Sequence, residues 1–197
     1  MKTKALKQIP GVTIFEQAPL TWTFFLISAL VFFIARISDP KNVRFLALHF
    51  DQVRQSWYTL ISYGFVHIEW YHILINMGIL LYIGFWVERM LGQKRYFMLV
   101  MLGILAGGLS LIVRETGGIG FSAAGATILF YYYLAFPWKR ELPFNLPNII
   151  LPVTLFGFSI LALIFGWGPS VGHIPHLAGM FTGALLLLVF HKNHKEI

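Results

Sequence analysis

Six apolar runs divide the chain, at 20–37, 70–87, 96–113, 119–138, 149–171 and 174–190. A helix needs about 20 apolar residues to cross about 30 Å of hydrocarbon, and each run is near that length. Lipid offers backbone N–H and C=O groups no partners, so only helices and closed barrels span it. These runs are continuously apolar rather than alternating, which selects helices. The expectation is one all-α membrane domain over residues 20–190, a six-transmembrane-helix bundle. Residues 1–19 and 191–197 flank it as short segments. Composition agrees, because only 12% of the 197 residues are charged, about half the share in a soluble domain.

Charge orients the bundle. The net charge is +7. With the N-terminus inside, ten of the 15 Lys and Arg residues fall on inner segments: Lys2, Lys4, Lys7, Arg89, Lys94, Arg95, Lys139, Arg140, Lys192 and Lys195. Outer segments carry Arg36, Lys41, Arg44, Arg54 and Arg114. This positive-inside pattern places both termini in the cytoplasm of a multi-pass protein, with the cell membrane as its expected site. The cations are scattered over separate segments, so no nucleic-acid-binding face is expected. Pro10, Gly11, Glu16 and Pro19 interrupt the first 19 residues, so a cleavable signal peptide is not expected either. The absence of cysteine excludes disulfides, thiolate metal sites and a cysteine nucleophile.

The longest connection, 38–69, lies outside between the first two spans. It mixes FLALHF with Asp51, Gln52, Arg54 and Gln55, followed by Trp57 and Tyr58. It reads equally as an amphipathic segment in the interface or as a plain loop. Trp70 and Tyr71 suit a belt anchor at the outer end of span 2.

Polar residues inside spans are costly and need an explanation. Four stand out: His72, Asn76, Ser122 and His176, with His67 just outside span 2. His72 and Asn76 are four apart, on one helical face, where they serve either as interhelical glue or as hydrogen-bond donors. Ser122 in GFSAAGA would be the first residue of its helix, beside orphan N–H groups. That position suits a cap or a nucleophile. The GGIG stretch just before it, 117–120, suits an irregular re-entrant loop. In span 6, His176, Gly179 and Gly183 share a face, and the two glycines permit close helix approach. Span 4 offers Ser122, Ala123 and Ala126 as the complementary face, which would bring His176 to Ser122.

Together these residues resemble the rhomboid intramembrane serine proteases. H-x-x-x-x-H-x-x-x-N appears as His67, His72 and Asn76; G-x-x-x-E-R as Gly84, Glu88 and Arg89; G-x-S as Gly120, Phe121 and Ser122; H-x-x-G-x-x-x-G as His176, Gly179 and Gly183. The resemblance implies a serine endopeptidase that cuts peptide bonds in or beside transmembrane segments of protein substrates in the lipid bilayer, at small residues in easily unwound helices. It implies Ser122 as nucleophile and His176 as general base, a dyad without a third acidic member. His72, Asn76 and the Ser122 backbone N–H would form the oxyanion hole. His67, Gly120, Phe121, Gly179 and Gly183 would support the site, and Glu88 and Arg89 the fold. It also implies span 5, with Gly157, Gly166 and Gly168, as a lateral gate, and SVGHIP (170–175) as an outer cap. No metal and no cofactor are implied.

Three positions depart from the family. Ala123 stands where glycine usually follows the serine. Ala126 replaces an aromatic that stacks on the histidine, leaving Phe121 or Tyr131 as candidate substitutes. Tyr58 and Thr59 occupy the places of a loop Trp-Arg pair, with Trp57 one step earlier, so loop anchoring is expected to differ.

Other readings are disfavoured. A catalytically inactive rhomboid-like pseudoprotease that binds membrane segments is the nearest rival. A zinc enzyme would use His67, His72, His173 and His176, but the H-E-x-x-H pattern is missing. A transporter lacks internal repeats and intramembrane acids.

Overall fold

The computed structural model describes residues 13–168 and 171–190. The segments 1–12 and 191–197, with five of the inner lysines, and Ser170 of the expected cap lie outside the described residues.

Six principal helices alternate in direction: α1 (Pro19–Ile37), α2 (Trp70–Leu91), α3 (Gln93–Val113), α4 (Ser122–Ala135), α5 (Ile150–Phe165) and α6 (His173–Phe190). Four of them, α1, α2, α3 and α6, are long and apolar enough to cross a membrane. The chain is an integral membrane protein with an all-α bundle.

Two helices are shorter than their apolar runs. The run 119–138 yields only 14 helical residues, about 21 Å at 1.5 Å each. Gly120 at φ 110 cannot join a helix, and the far end stops before Pro137. The run 149–171 stops at Phe165, where Gly166 takes a left-handed φ of 68 and caps the helix. Inside α2, Leu80–Gly84 forms a π-turn.

The short α4 is the centre of the bundle, buried almost without interruption from Ala123 to Tyr133. Small residues let its neighbours close on it. On α3, a Cβ added to Gly107 would lie 2.5 Å from that of Ala123. On α6, a Cβ at Gly179 would strike the Ala123 carbonyl oxygen, and one at Gly183 the Thr127 carbonyl. The Thr127 hydroxyl lies 2.9 Å from the carbonyl oxygens of both Ala123 and Gly179, so its proton serves the seam between α4 and α6. In lipid there is little hydrophobic drive between helices, so such contact and hydrogen bonding hold the bundle. Of the expected face of Ser122, Ala123 and Ala126, Ala123 takes Gly179, and Thr127, which was not expected, takes Gly183. Ala126 also meets α6, packing with Met180 beside Phe130.

At the end of the bundle remote from Ser122, the buried Glu88 carboxylate accepts the N–H groups of Leu20 at 2.9 Å and Thr21 at 2.7 Å. An acid from the last turn of α2 therefore caps the positive end of α1. Arg89 donates to Gln17 at 2.7 Å and lies over the rings of Phe85 and Trp86. Gly84 makes room for the Tyr96 hydroxyl, which is 3.1 Å from that of Thr21.

The 38–69 connection is a series of short turns, Pro40–Leu46, Phe50–Gln52, Thr59–Ser62 and Tyr63–Phe65. Phe45, Trp57 and Tyr58 are exposed along it. Leu48 exchanges backbone hydrogen bonds of 3.1 and 3.0 Å with Gly118. Ser62 donates to the Leu46 carbonyl at 2.8 Å. Trp70 is half exposed and packs edge-on against Phe32.

Candidate active site

Gly120, Phe121 and Ser122 turn the chain from the irregular 114–120 segment into α4. The Gly120 N–H donates to the Tyr63 carbonyl at 2.8 Å, and the Tyr63 hydroxyl donates to the Ile104 carbonyl at 2.7 Å. Tyr63 is buried, which pushes its phenol well up and keeps it a donor. The Phe121 N–H donates to His67 Nε2 at 3.3 Å. That bond requires an unprotonated Nε2, so the proton sits on Nδ1, which faces the Phe65 carbonyl at 3.4 Å. His67 is wholly buried, and burial, with the nearby His72, pushes its imidazole down to about 4. It is therefore neutral, as its acceptor role demands.

These bonds fix where Ser122 begins its helix. The N–H groups of a helix's first turn have no intrahelical partners, so those after Phe121 point into the space above α4. The His72 ring covers Gly120, since a Cβ there would lie 2.5 Å from His72 Nε2. His67 and His72 sit edge to face at 4.9 Å. Asn76 is buried, its NH₂ donating to the His72 carbonyl at 3.0 Å and its Oδ1 facing Gly125. The amide thus keeps one further N–H available.

From α6, His176 Nε2 lies 2.8 Å from Ser122 Oγ. Both residues are partly accessible. One turn earlier on α6, the His173 ring lies 6.4 Å from that of His176, with its Nε2 3.2 Å from the Trp167 carbonyl.

Ser122, His176, His72, Asn76, His67, Gly120 and Phe121 are thus gathered at one end of the bundle. Gly179 and Gly183 lie on the seam below, and Glu88 and Arg89 at the other end. Phe121 packs on Phe24 and Phe65, and Tyr131 on Phe190. The ring next to His176 is His173, so the substitutes expected for the missing aromatic are corrected. Sequence reasoning missed Tyr63 and Thr127. Thr127 carried a usable signal, a polar residue inside an apolar run. Tyr63 carried none, because a tyrosine in a loop does not announce which carbonyl it will meet.

Residues 54–193 match the Rhomboid domain. The chain belongs to the rhomboid family. It is 27% identical over 181 residues to the Rhomboid protease GlpG of Klebsiella pneumoniae (strain 342), covering 88% of this chain and 64% of that protein. The Salmonella newport (strain SL254) protein of the same name is 27% identical over 191 residues, 93% of this chain and 68% of its own length. This rhomboid therefore spans about two thirds of the length of such relatives.

Proposed function

We propose that this rhomboid is an intramembrane serine endopeptidase acting on transmembrane protein substrates. The observation that carries the reading is the 2.8 Å contact between Ser122 Oγ and His176 Nε2, at the length of a hydroxyl donating to a neutral imidazole. Ser122 Oγ attacks the substrate carbonyl carbon while His176 takes its proton. His176 then returns that proton to the leaving amine, and water hydrolyses the acyl-enzyme by the same exchange. The developing oxyanion is held by the Ser122 N–H, the free Asn76 N–H and His72. Donors of this kind stabilise the transition state more than the ground state, each typically worth about 10²–10³ in rate.

Water reaches the site because α4 is shorter than the hydrocarbon is thick, so its serine end lies below the membrane surface. Irregular backbone at that depth is tolerated where it lines a cavity, which the 114–120 segment would do. The positive-inside pattern supports a reading in which this end faces outside and the termini lie in the cytoplasm. Substrate enters past α5, whose only buried side chains are Pro152, Ser159 and Ala162, making it the helix most easily displaced.

The test is labelling with a fluorophosphonate probe in detergent. Wild type should label, and Ser122→Ala should not. A folded wild type that never labels would favour the pseudoprotease reading.

A further inference from the structure

A cleft of about 680 Å³ opens at the end of the bundle opposite Ser122, between the start of α1 and the turn joining α2 to α3. It is lined by Glu16, Glu88, Arg89, Gly92, Lys94 and Arg95, among others. Its charge is unevenly committed. Glu88 spends both oxygens on the Leu20 and Thr21 N–H groups. Glu16 accepts from the Thr13 N–H and hydroxyl at 2.7 and 2.9 Å. The two acids therefore face backbone and hydroxyl donors, and neither pairs with a cation of the cleft.

The cations are left over. The Lys94 and Arg95 side chains form no hydrogen bond or ion pair with a described residue, and Arg95 only lies near the Tyr131 hydroxyl. The Arg89 guanidinium is held in place by Gln17 through one nitrogen and by the Phe85 and Trp86 rings at 5.5 and 5.7 Å. Its other donors meet no described residue, and a fork already immobilised loses little entropy on binding an oxyanion. The contrast is the basic pair at 139–140. Lys139 pairs with Glu141 and lies 4.1 Å over Phe136, while Arg140 donates to the Asn145 carbonyl. Charge placement for topology alone would not explain why one basic pair is satisfied and the other lines an open cleft.

The cleft also sits at the ends of helices long and apolar enough to cross a membrane, flanked by exposed Ile14 and Phe15. We infer that Arg89, Lys94 and Arg95 form a binding site for a phosphate group, supplied by an anionic phospholipid headgroup or by free phosphate. Basic pockets between membrane helices take phosphorylated headgroups for this reason. The inference is independent of the protease assignment.

The test uses the purified full chain in detergent, offered equal phosphatidylglycerol and phosphatidylcholine and read by native mass spectrometry. Wild type should retain phosphatidylglycerol preferentially, and K94Q/R95Q should lower that retention about tenfold. K139Q/R140Q, with the same charge loss at the same end, should leave it unchanged. Equal losses in both double variants, or no lipid preference in wild type together with no response to phosphate, would overturn the site. Lys94→Gln alone, at an exposed residue with no partner among the described residues, gives a folded variant with a smaller drop if the double variant fails. Inorganic phosphate separates the sources. A lipid site keeps its phosphatidylglycerol in excess phosphate. A free-phosphate site lacks the lipid preference but raises the unfolding temperature of wild type, and not of K94Q/R95Q, when phosphate is added. With neither response the inference is wrong.

Discussion

Gly179 of α6 rests directly on the carbonyl of Ala123 in α4, with no room for a methyl group between them. Three residues before this contact stands His176, and one residue before Ala123 stands Ser122. The closeness of two backbones therefore sets the distance between the hydroxyl and the imidazole.

Gly179→Ala should push α6 from α4. Overpacking of this kind costs about 1–3 kcal/mol, and it also lengthens the Ser122–His176 contact. Thermal unfolding in detergent should show a lowered midpoint, with fluorophosphonate labelling lost below that midpoint. Gly157→Ala, where an added methyl group would meet nothing within 4 Å, should leave both unchanged.

Gly120→Ala should act on the donors instead. Gly120 holds φ 110 and its α-carbon faces the His72 ring, so the methyl group displaces His72 and strains the turn. The expected result is a loss of about 10²–10³ in cleavage rate, comparable to removing one oxyanion donor, read as kcat on a model substrate.

Glu88→Ala should damage the fold far from the site. It leaves the Leu20 and Thr21 N–H groups without their acceptor, and an unsatisfied buried donor costs about 1–3 kcal/mol. Unfolding temperature should drop, while labelling of Ser122 at low temperature persists.

His67 gives a pH signature. Its folded imidazole titrates near about 4 against 6.5 when exposed, so between those values the unfolded chain binds the extra proton. Stability is complete above 6.5 and falls as pH drops from 6.5 towards 4. His67→Gln keeps an acceptor for the Phe121 N–H but cannot titrate. Unfolding midpoints measured against pH should therefore fall more steeply for wild type than for this variant, in that window only.

Much of this architecture is legible in the amino-acid order. Apolar runs mark all six helices, because the lipid leaves the backbone no other choice. His72 and Asn76 are legible as a pair, and Gly179 and Gly183 as a seam, because helical spacing fixes which side chains share a face, whereas His67 joins them only through the family resemblance. The partner of that seam was less legible. Ala123, which meets Gly179, was expected, but Thr127, which meets Gly183, was not, and its place depends on three helices packing at once. The start of α4 at Ser122 was legible in GFSAAGA, but the bonds that fix it there were not. α4 begins at Ser122 because Tyr63 and His67 claim the N–H groups of Gly120 and Phe121, and those bonds come from a loop over 50 residues earlier. No local pattern reports them.

Cleavage of a generic single-pass membrane substrate in detergent, comparing wild type with Ser122→Ala and His176→Ala, tests the dyad most directly. The contact between these two residues predicts cutting by wild type and none by either variant, with all three equally folded. Cutting that survives in Ser122→Ala would contradict it.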